Sequence, residues 1–407
     1  MRVIVIGGGA AGFFGAIACA QANPQAQVTV LEGASQPLGK VRISGGGRCN
    51  VTHHCFDPKS LIQHYPRGGK ALLGPFSRFG PQDTIAWFQQ QGVALKTEAD
   101  GRMFPVTNDS ATIVNCLRQV AQQTNVQLRL SSPVQALHPQ GQQGFWHVRL
   151  KTGESLPSDR ILLATGSSSL GYRWARQAGH QIIDPVPSLF TFKLSDPRLV
   201  DLAGVTIESV RLQIGTGKQK RQQTGPLLVT HWGISGPAVL KLSAWGARQL
   251  HKQQYHLPLC INWRPELNPE TAQQELWQLK QQSPKRQVVT TAPQSLPKRL
   301  WQRLVCAAQI PAQQLWADVS KQAIARLAQE LTQGQYQIQG KGIFKEEFVT
   351  CGGIKLAEVN FKTMASRKAN GLYFAGEILD IDGITGGFNF QNAWTTGWIA
   401  GQAIGFE

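Results

Sequence analysis

Gly7, Gly9 and Gly12 stand in "RVIVIGGGAAGFFGAIACAQ" with the spacing G-x-G-x-x-G, and Glu32 follows 20 residues after the last of them. Backbone N–H groups at a tight turn that opens a helix can bind a pyrophosphate. An acid at this distance can accept both hydroxyls of an adenosine ribose. Gly7 permits the turn, Gly9 lets phosphate reach the backbone, and Gly12 lets helix and strand pack closely. The spacing gains specificity from its setting. Val3 to Ile6 reads as a buried strand, the residues after Gly9 as a helix, and "QVTVLEG" as a second strand ending at Glu32. A carboxylate there repels a 2′-phosphate, so these residues leave NAD or FAD as the ligand.

A second stretch, "ISGGGRCN", holds Ser44, Gly45, Gly46, Gly47, Arg48, Cys49 and Asn50. Three consecutive glycines suit either a surface turn or a backbone that closely approaches a ligand. Arg48 can donate in a planar fork to phosphate or to a carbonyl. Cys49 reads either as a redox or proton-donating thiol or as a small packed side chain. In "VTHWGISGPAVLKLS", His231 precedes a helix expected to begin near Ser235-Gly236-Pro237, and reads as a proton donor or as a structural residue.

The elements that must position these groups belong to a chain of 407 residues, 42% hydrophobic and 16% charged, enough for two or three folded domains. Lys and Arg number 41 against 24 Asp and Glu, a net charge of +17, which favours anionic partners. The seven cysteines are odd in number and form no CxxC, arguing against a disulfide framework and against a metal site. The N-terminal apolar run is interrupted by Gly7, Gly8, Gly9, Gly12 and Gly15, which serve a signal helix badly. No other stretch approaches the roughly 18 apolar residues of a membrane span. The expectation is a cytoplasmic protein without membrane partners.

"RILLATGSSSLGY" (Arg160 to Tyr172) reads as a buried strand ending in Ala164-Thr165-Gly166. "GLYFAGEILDIDGITGGFNFQNAWTTGWIAG" (Gly371 to Gly401) reads as a strand, a glycine-rich loop and a helix. With "GGGAAG" and "SGGGRCN", these four motifs in order resemble the BaiN/RdsA family of FAD-dependent oxidoreductases. The FAD domain of that family is similar to the glutathione-reductase type. The resemblance implies FAD rather than NAD as the bound cofactor. Gly7, Gly9, Ala10, Ala11 and Gly12 would hold the pyrophosphate and Glu32 the ribose. Lys40 and Arg42 would lie near the phosphates or adenine, and the Val134 backbone would meet adenine. Ala164, Thr165 and Gly166 would close over the dinucleotide. Gly376, Glu377 and Asp380 would lie toward the ribityl chain. Gly386, Gly387, Phe388 and Asn389 would place a helix N-terminus beneath the flavin. The resemblance also puts Ser44 to Asn50 beside the flavin and its phosphates. Family members often carry two adjacent basic residues after the equivalent of Gly39; here Val41 separates Lys40 from Arg42.

The expected fold is α/β. A Rossmann-type FAD-binding domain spans 1–185 and 345–407. It carries an inserted β-barrel-like domain, 186–264 and about 335–345, and a small helical subdomain, 265–334. The strand assignments rest on alternating runs such as "LFTFKL" and "VRLQIG"; the helical one rests on a change of period, with Asn268 and Ser320 as N-caps. Residues 186–345 hold 20 Lys and Arg against 8 Asp and Glu. Lys285, Arg286, Lys298, Arg299 and Arg303 beside Trp301 can form either a nucleic-acid groove or a solvated helical face with buried tryptophans.

Members of the family reduce steroid enones, make dihydrouridine in ribosomal RNA, or oxidise a small amine. The resemblance therefore implies an FAD-dependent oxidoreductase, and the basic insertion favours reduction of uracil in ribosomal RNA. The alternatives are a small-molecule enone reductase, an amine oxidase, or a non-catalytic FAD-bound RNA-binding protein. No second strand-linked G-x-G-x-x-G follows, so either NAD(P)H visits as a transient reductant at a site without the usual fingerprint, or another donor reduces the flavin.

Overall fold

Val3, Ile4, Val5 and Ile6 form an apolar, β-branched run, and Arg2–Ile6 becomes a central strand of a seven-stranded sheet. In this computed structural model, residues 1–140, 145–293, 295–342 and 349–407 are described. The strand pairs in parallel with Gln27–Leu31 on one side and with Arg160–Leu163 on the other. Beyond these lie Gln127–Arg129 and Leu372–Phe374, also parallel. Two short antiparallel strands, Val359–Asn360 and Ala365–Ser366, complete the edge. The chain thus winds outward in both directions from Arg2–Ile6. Such a switch point opens a crevice at the carboxyl ends of the strands, where open α/β sheets bind ligands.

Helix Ala10–Ala22 follows the central strand and is apolar on nearly all sides, with ten of its 13 residues buried. It packs along the C-terminal helix Phe388–Gly405. Small residues allow the approach: a Cβ on Gly401 would stand 2.2 Å from the carbonyl oxygen of Gly15. The strands Val134–Gln140, Phe145–Leu150 and Ser155–Ser158 form a separate antiparallel meander.

The chain divides into two compact units, Met1–Val186 with Val349–Glu407, and Pro187–Phe348. The expected return to the first domain near residue 345 falls within 343–348, outside the described residues. The second unit contains a closed six-stranded barrel. Around it run Phe192–Lys193, Gly233–Ser235, Arg221–Thr230, Thr206–Ile214, His256–Asn262 and Gly334–Lys341. Alternation sends Val210, Leu212 and Ile214 inward. The helices Pro269–Gln282, Lys298–Ala307 and Lys321–Gln333 bury Leu276, Leu304 and Leu327 in the same hydrophobic core as the barrel. Asn268 and Ser320 cap two of them, accepting from Thr271 N (2.9 Å) and Ala323 N (3.1 Å).

Of the two readings of the basic stretch, Trp301 fits the solvated helical face with buried tryptophans. Trp301 is not a stacking surface. It is fully buried, and its indole donates to the Val288 carbonyl (2.8 Å). The helical period places it with Leu300, Leu304 and Val305 on the inner face. Arg299 donates to the Asp201 carbonyl (3.0 Å) and Arg303 pairs with the Asp201 carboxylate (2.9 Å).

Candidate cofactor site

The first glycine turn is built by close packing on one side and open space on the other. Gly7 has φ 110°, and a Cβ there would lie 2.4 Å from the Ala164 carbonyl oxygen. A Cβ on Gly12 would stand 1.9 Å from the Gly7 oxygen, whereas one on Gly9 would meet nothing within 4 Å. The helix that starts at Ala10 has no side-chain cap and no acid in its first turn. Its leading N–H groups and positive dipole end suit an anion. Glu32 accepts from Gly8 N and Ala34 N, both at 2.8 Å. A carboxylate has about four acceptor positions, so two remain for ribose hydroxyls. Ser132 N bonds the Glu32 carbonyl (2.8 Å), drawing the Val134 segment toward the same strand end.

Residues far apart in sequence gather around this turn. Lys40 forms an ion pair with Glu377, and Glu377 also accepts from Thr350 N (2.9 Å). A Cβ on Gly166 would lie 3.6 Å from the Glu377 carboxylate, and one on Gly376 would lie 2.8 Å from Ala11 Cβ. Thus Ala11, Lys40, Gly166, Gly376 and Glu377 are neighbours. Thr165 Oγ1 and Arg42 Nε are buried without a protein partner, as expected of polar atoms beside a ligand. The Asp380 N–H bonds the Ile354 carbonyl (3.1 Å).

A second cluster forms at the start of the C-terminal helix, where Gly386 and Gly387 have positive φ and Gly387 is the N-cap. With its amide oriented to satisfy its neighbours, Asn50 accepts from Gly387 N (2.9 Å) and donates to the Thr52 carbonyl (3.0 Å). Asn389 exchanges two hydrogen bonds with the Gly383 backbone (2.8 and 2.9 Å), fixing the loop. Phe388 meets two imidazoles, His53 at 4.7 Å and His64 at 4.3 Å between ring centroids, both stacked, and the imidazoles lie 5.8 Å from each other. Tyr65 donates to the Phe388 carbonyl (2.6 Å). Arg67 makes a two-pronged ion pair with the fully buried Asp382.

In "SGGGRCN" the helical run ends at Ile43. Ser44 is extended, and Gly45, Gly46 and Gly47 follow with φ of 59°, 70° and 83°. A Cβ on Gly46 or Gly47 would meet nothing within 4 Å. The Ser44 hydroxyl donates to the Val41 carbonyl (3.1 Å). Arg48 pairs with Glu98 (2.6 Å) and lies over the Phe104 ring, 4.0 Å from its centroid. Cys49 is fully buried, and burial pushes its thiol up to about 12. The thiol stays protonated near neutrality, so this geometry supports packing rather than thiolate chemistry. His231 is exposed at the turn between two barrel strands of the second unit.

Sequence reasoning passed over His53, His64, Arg67, Glu98 and Asp382. Their partners are distant in sequence, and no local period marks them.

An open glycine turn at a sheet switch point, an acid beside it with acceptor positions to spare and two unpartnered buried polar atoms fit a bound FAD. They define a Rossmann-type flavoprotein. A family model described as "HI0933-like protein Rossmann domain" matches residues 1–403. The ribosomal RNA dihydrouridine synthase of Escherichia coli (strain K12) is 33% identical over 419 residues, covering 98% of this chain and 97% of that protein. The 3-dehydro-bile acid delta(4,6)-reductase of Clostridium scindens is 29% identical over 418 residues, covering 99% and 98%. Among solved structures, a 3-ketosteroid-delta4-(5alpha)-dehydrogenase from Rhodococcus jostii RHA1 superposes with TM-score 0.53 at 13% identity, covering 99% of this chain and 96% of that one. This last likeness shows a shared fold. The chain belongs to the HI0933-like family, that of the BaiN/RdsA proteins, and is an FAD-dependent oxidoreductase. Among the described residues no helix is long and apolar enough to cross a membrane, and no group of three metal-ligating side chains occurs.

Proposed function

We propose that the protein reduces an activated C=C bond, and that its substrate is uracil in ribosomal RNA, converted to dihydrouridine. The observation that carries this reading is end-to-end similarity to two proteins named ribosomal RNA dihydrouridine synthase, at 33% and 30% identity. The excess positive charge of the insertion supports it, because an RNA substrate brings a phosphate at every nucleotide. Similarity to the bile acid reductase supports the C=C chemistry, and favours a small-molecule enone as the second reading.

In the proposed reaction C5=C6 of uracil gains a hydride and a proton, and NAD(P)H is the proposed source of the two electrons. FAD, when bound, supplies the hydride-transferring group. The chain's own part is to hold and orient. Gly7 to Gly12 and the leading N–H groups of the first helix would hold the pyrophosphate, and Glu32 the adenosine ribose. Thr165 and Arg42 offer buried donors to the same ligand. The N-terminus of Phe388–Gly405 presents a positive dipole end, worth on the order of 0.3–1 kcal/mol to an adjacent negative charge. His53 and His64, half-buried against Phe388, are the candidates to supply the proton.

Purified protein incubated with NADPH or NADH and unmodified ribosomal RNA tests the reading, with nucleosides measured by mass spectrometry. Dihydrouridine is the expected product. Reduction of a steroid enone without any product from RNA would transfer the activity to the second reading. Oxygen uptake driven only by an amine would remove both.

A further inference from the structure

The outer wall of the barrel carries a groove of about 630 Å³, formed within the second unit by four of its strands and the start of helix Pro269–Gln282. Strand pairing aligns Gln222 with Gln213, Gln213 with Cys260, and Cys260 with Gln335. These four side chains therefore form one row across four neighbouring strands, and all four line the groove. The alternate positions Leu212, Leu259 and Tyr336 face inward and are buried, which fixes the row on the outside. Arg211 and Lys220 also line the groove, and among the described residues no Asp or Glu does. Arg211 donates to the Pro265 carbonyl (2.7 Å), while its Nε is buried with no protein partner.

We propose that this groove binds single-stranded RNA. Each glutamine amide offers two donors and an acceptor, the complement of unpaired base edges. The two cations supply attraction for phosphate; no acid lines the groove itself, although Glu266 lies close enough to feel the charge of Arg211. Elsewhere in the unit several acids are engaged: Asp196 and Glu330 hold Arg198, Glu266 and Glu275 hold Arg264, and Asp201 holds Arg303. No aromatic side chain lines the groove among the described residues, so recognition is by hydrogen bonds and charge rather than by stacking. The choice of RNA over another polyanion rests on the proposed substrate.

The test is fluorescence anisotropy of a labelled single-stranded RNA of about a dozen nucleotides, a length suited to one barrel face, at several salt concentrations. The FAD-loaded wild type is compared with the double variant Gln213→Glu/Lys220→Glu. The affinity of the variant should fall about tenfold or more, and its slope against log salt should shrink by about 0.7 for each phosphate that the groove no longer neutralises. FAD content and melting temperature should stay unchanged. Lys285→Glu/Arg286→Glu, outside the groove, should weaken binding less. Equal affinity and slope in wild type and Gln213→Glu/Lys220→Glu would overturn the proposal. So would displacement of the RNA by poly-glutamate as readily as by unlabelled RNA. Dihydrouridine formation is scored separately. A wild type that binds RNA through the groove but makes no dihydrouridine keeps the groove and refutes the substrate. A double variant that binds and reacts normally does the reverse.

Discussion

Glu32→Ala is expected to emerge from purification with little FAD, and to bind added FAD about 100- to 10,000-fold more weakly than the wild type. The carboxylate would accept two ribose hydroxyls, and hydrogen bonds to a charged acceptor contribute roughly 1.5–3 kcal/mol each. The same side chain accepts Gly8 N and Ala34 N, so the variant also loosens the turn that shapes the pyrophosphate site. Both effects act in one direction. Cys49→Ser is the contrasting variant and should keep its flavin, because the Cys49 thiol is buried and protonated. Titration of FAD into the two apo-proteins, followed by flavin fluorescence, measures the difference. Equal affinities would remove Glu32 from the cofactor site.

Asp382→Asn is expected to lower the melting temperature by on the order of 10 °C. Asp382 is fully buried, and Arg67 beside it is 17% exposed. Removing one charge of such a pair leaves the other desolvated and uncompensated, at a cost of about 3–5 kcal/mol. The arginine's pKa reports the same competition. Burial lowers it, and the hydrogen bonds and charge of Asp382, with smaller help from Cys351 and Asp380, more than reverse this, so the guanidinium stays charged. Replacing both partners with apolar residues, Arg67→Met/Asp382→Leu, should recover much of the stability, since the desolvated charge disappears with its partner. Thermal unfolding with FAD in excess checks this. A single variant that melts within about 2 °C of the wild type would show that solvent or another group compensates Arg67.

How much of this was legible in the sequence depended on distance along the chain. Gly7, Gly9, Gly12 and Glu32 lie within one strand–helix–strand unit, so spacing alone singled them out, and in the structure Glu32 accepts from Gly8 and Ala34 beside that turn. The barrel strands announced themselves by alternation, as in Leu212 and Ile214 against Arg211 and Gln213. The start of the C-terminal helix at Gly387 was readable from the glycine-rich loop before it. What was not legible was long-range. Arg48 meets Glu98 across 50 residues and Arg67 meets Asp382 across 315, and an ion pair leaves no local pattern. Trp301 could be read either way, because its neighbours in sequence are basic while its neighbours in space are Leu300 and Leu304. The glutamine row was not legible either. "GQYQIQGK" shows alternation, but the register that sets Gln335 against Cys260 belongs to the folded barrel.

The central claim is reduction of uracil in ribosomal RNA by a bound FAD. Its most direct test is to delete the gene and map dihydrouridine in the ribosomal RNA of the deletion strain, with wild-type and Glu32→Ala copies restored in parallel. The account predicts that a dihydrouridine present in the parent disappears on deletion, returns with the wild-type copy, and fails to return with Glu32→Ala. Ribosomal RNA whose dihydrouridine content is the same in parent and deletion strain would contradict it.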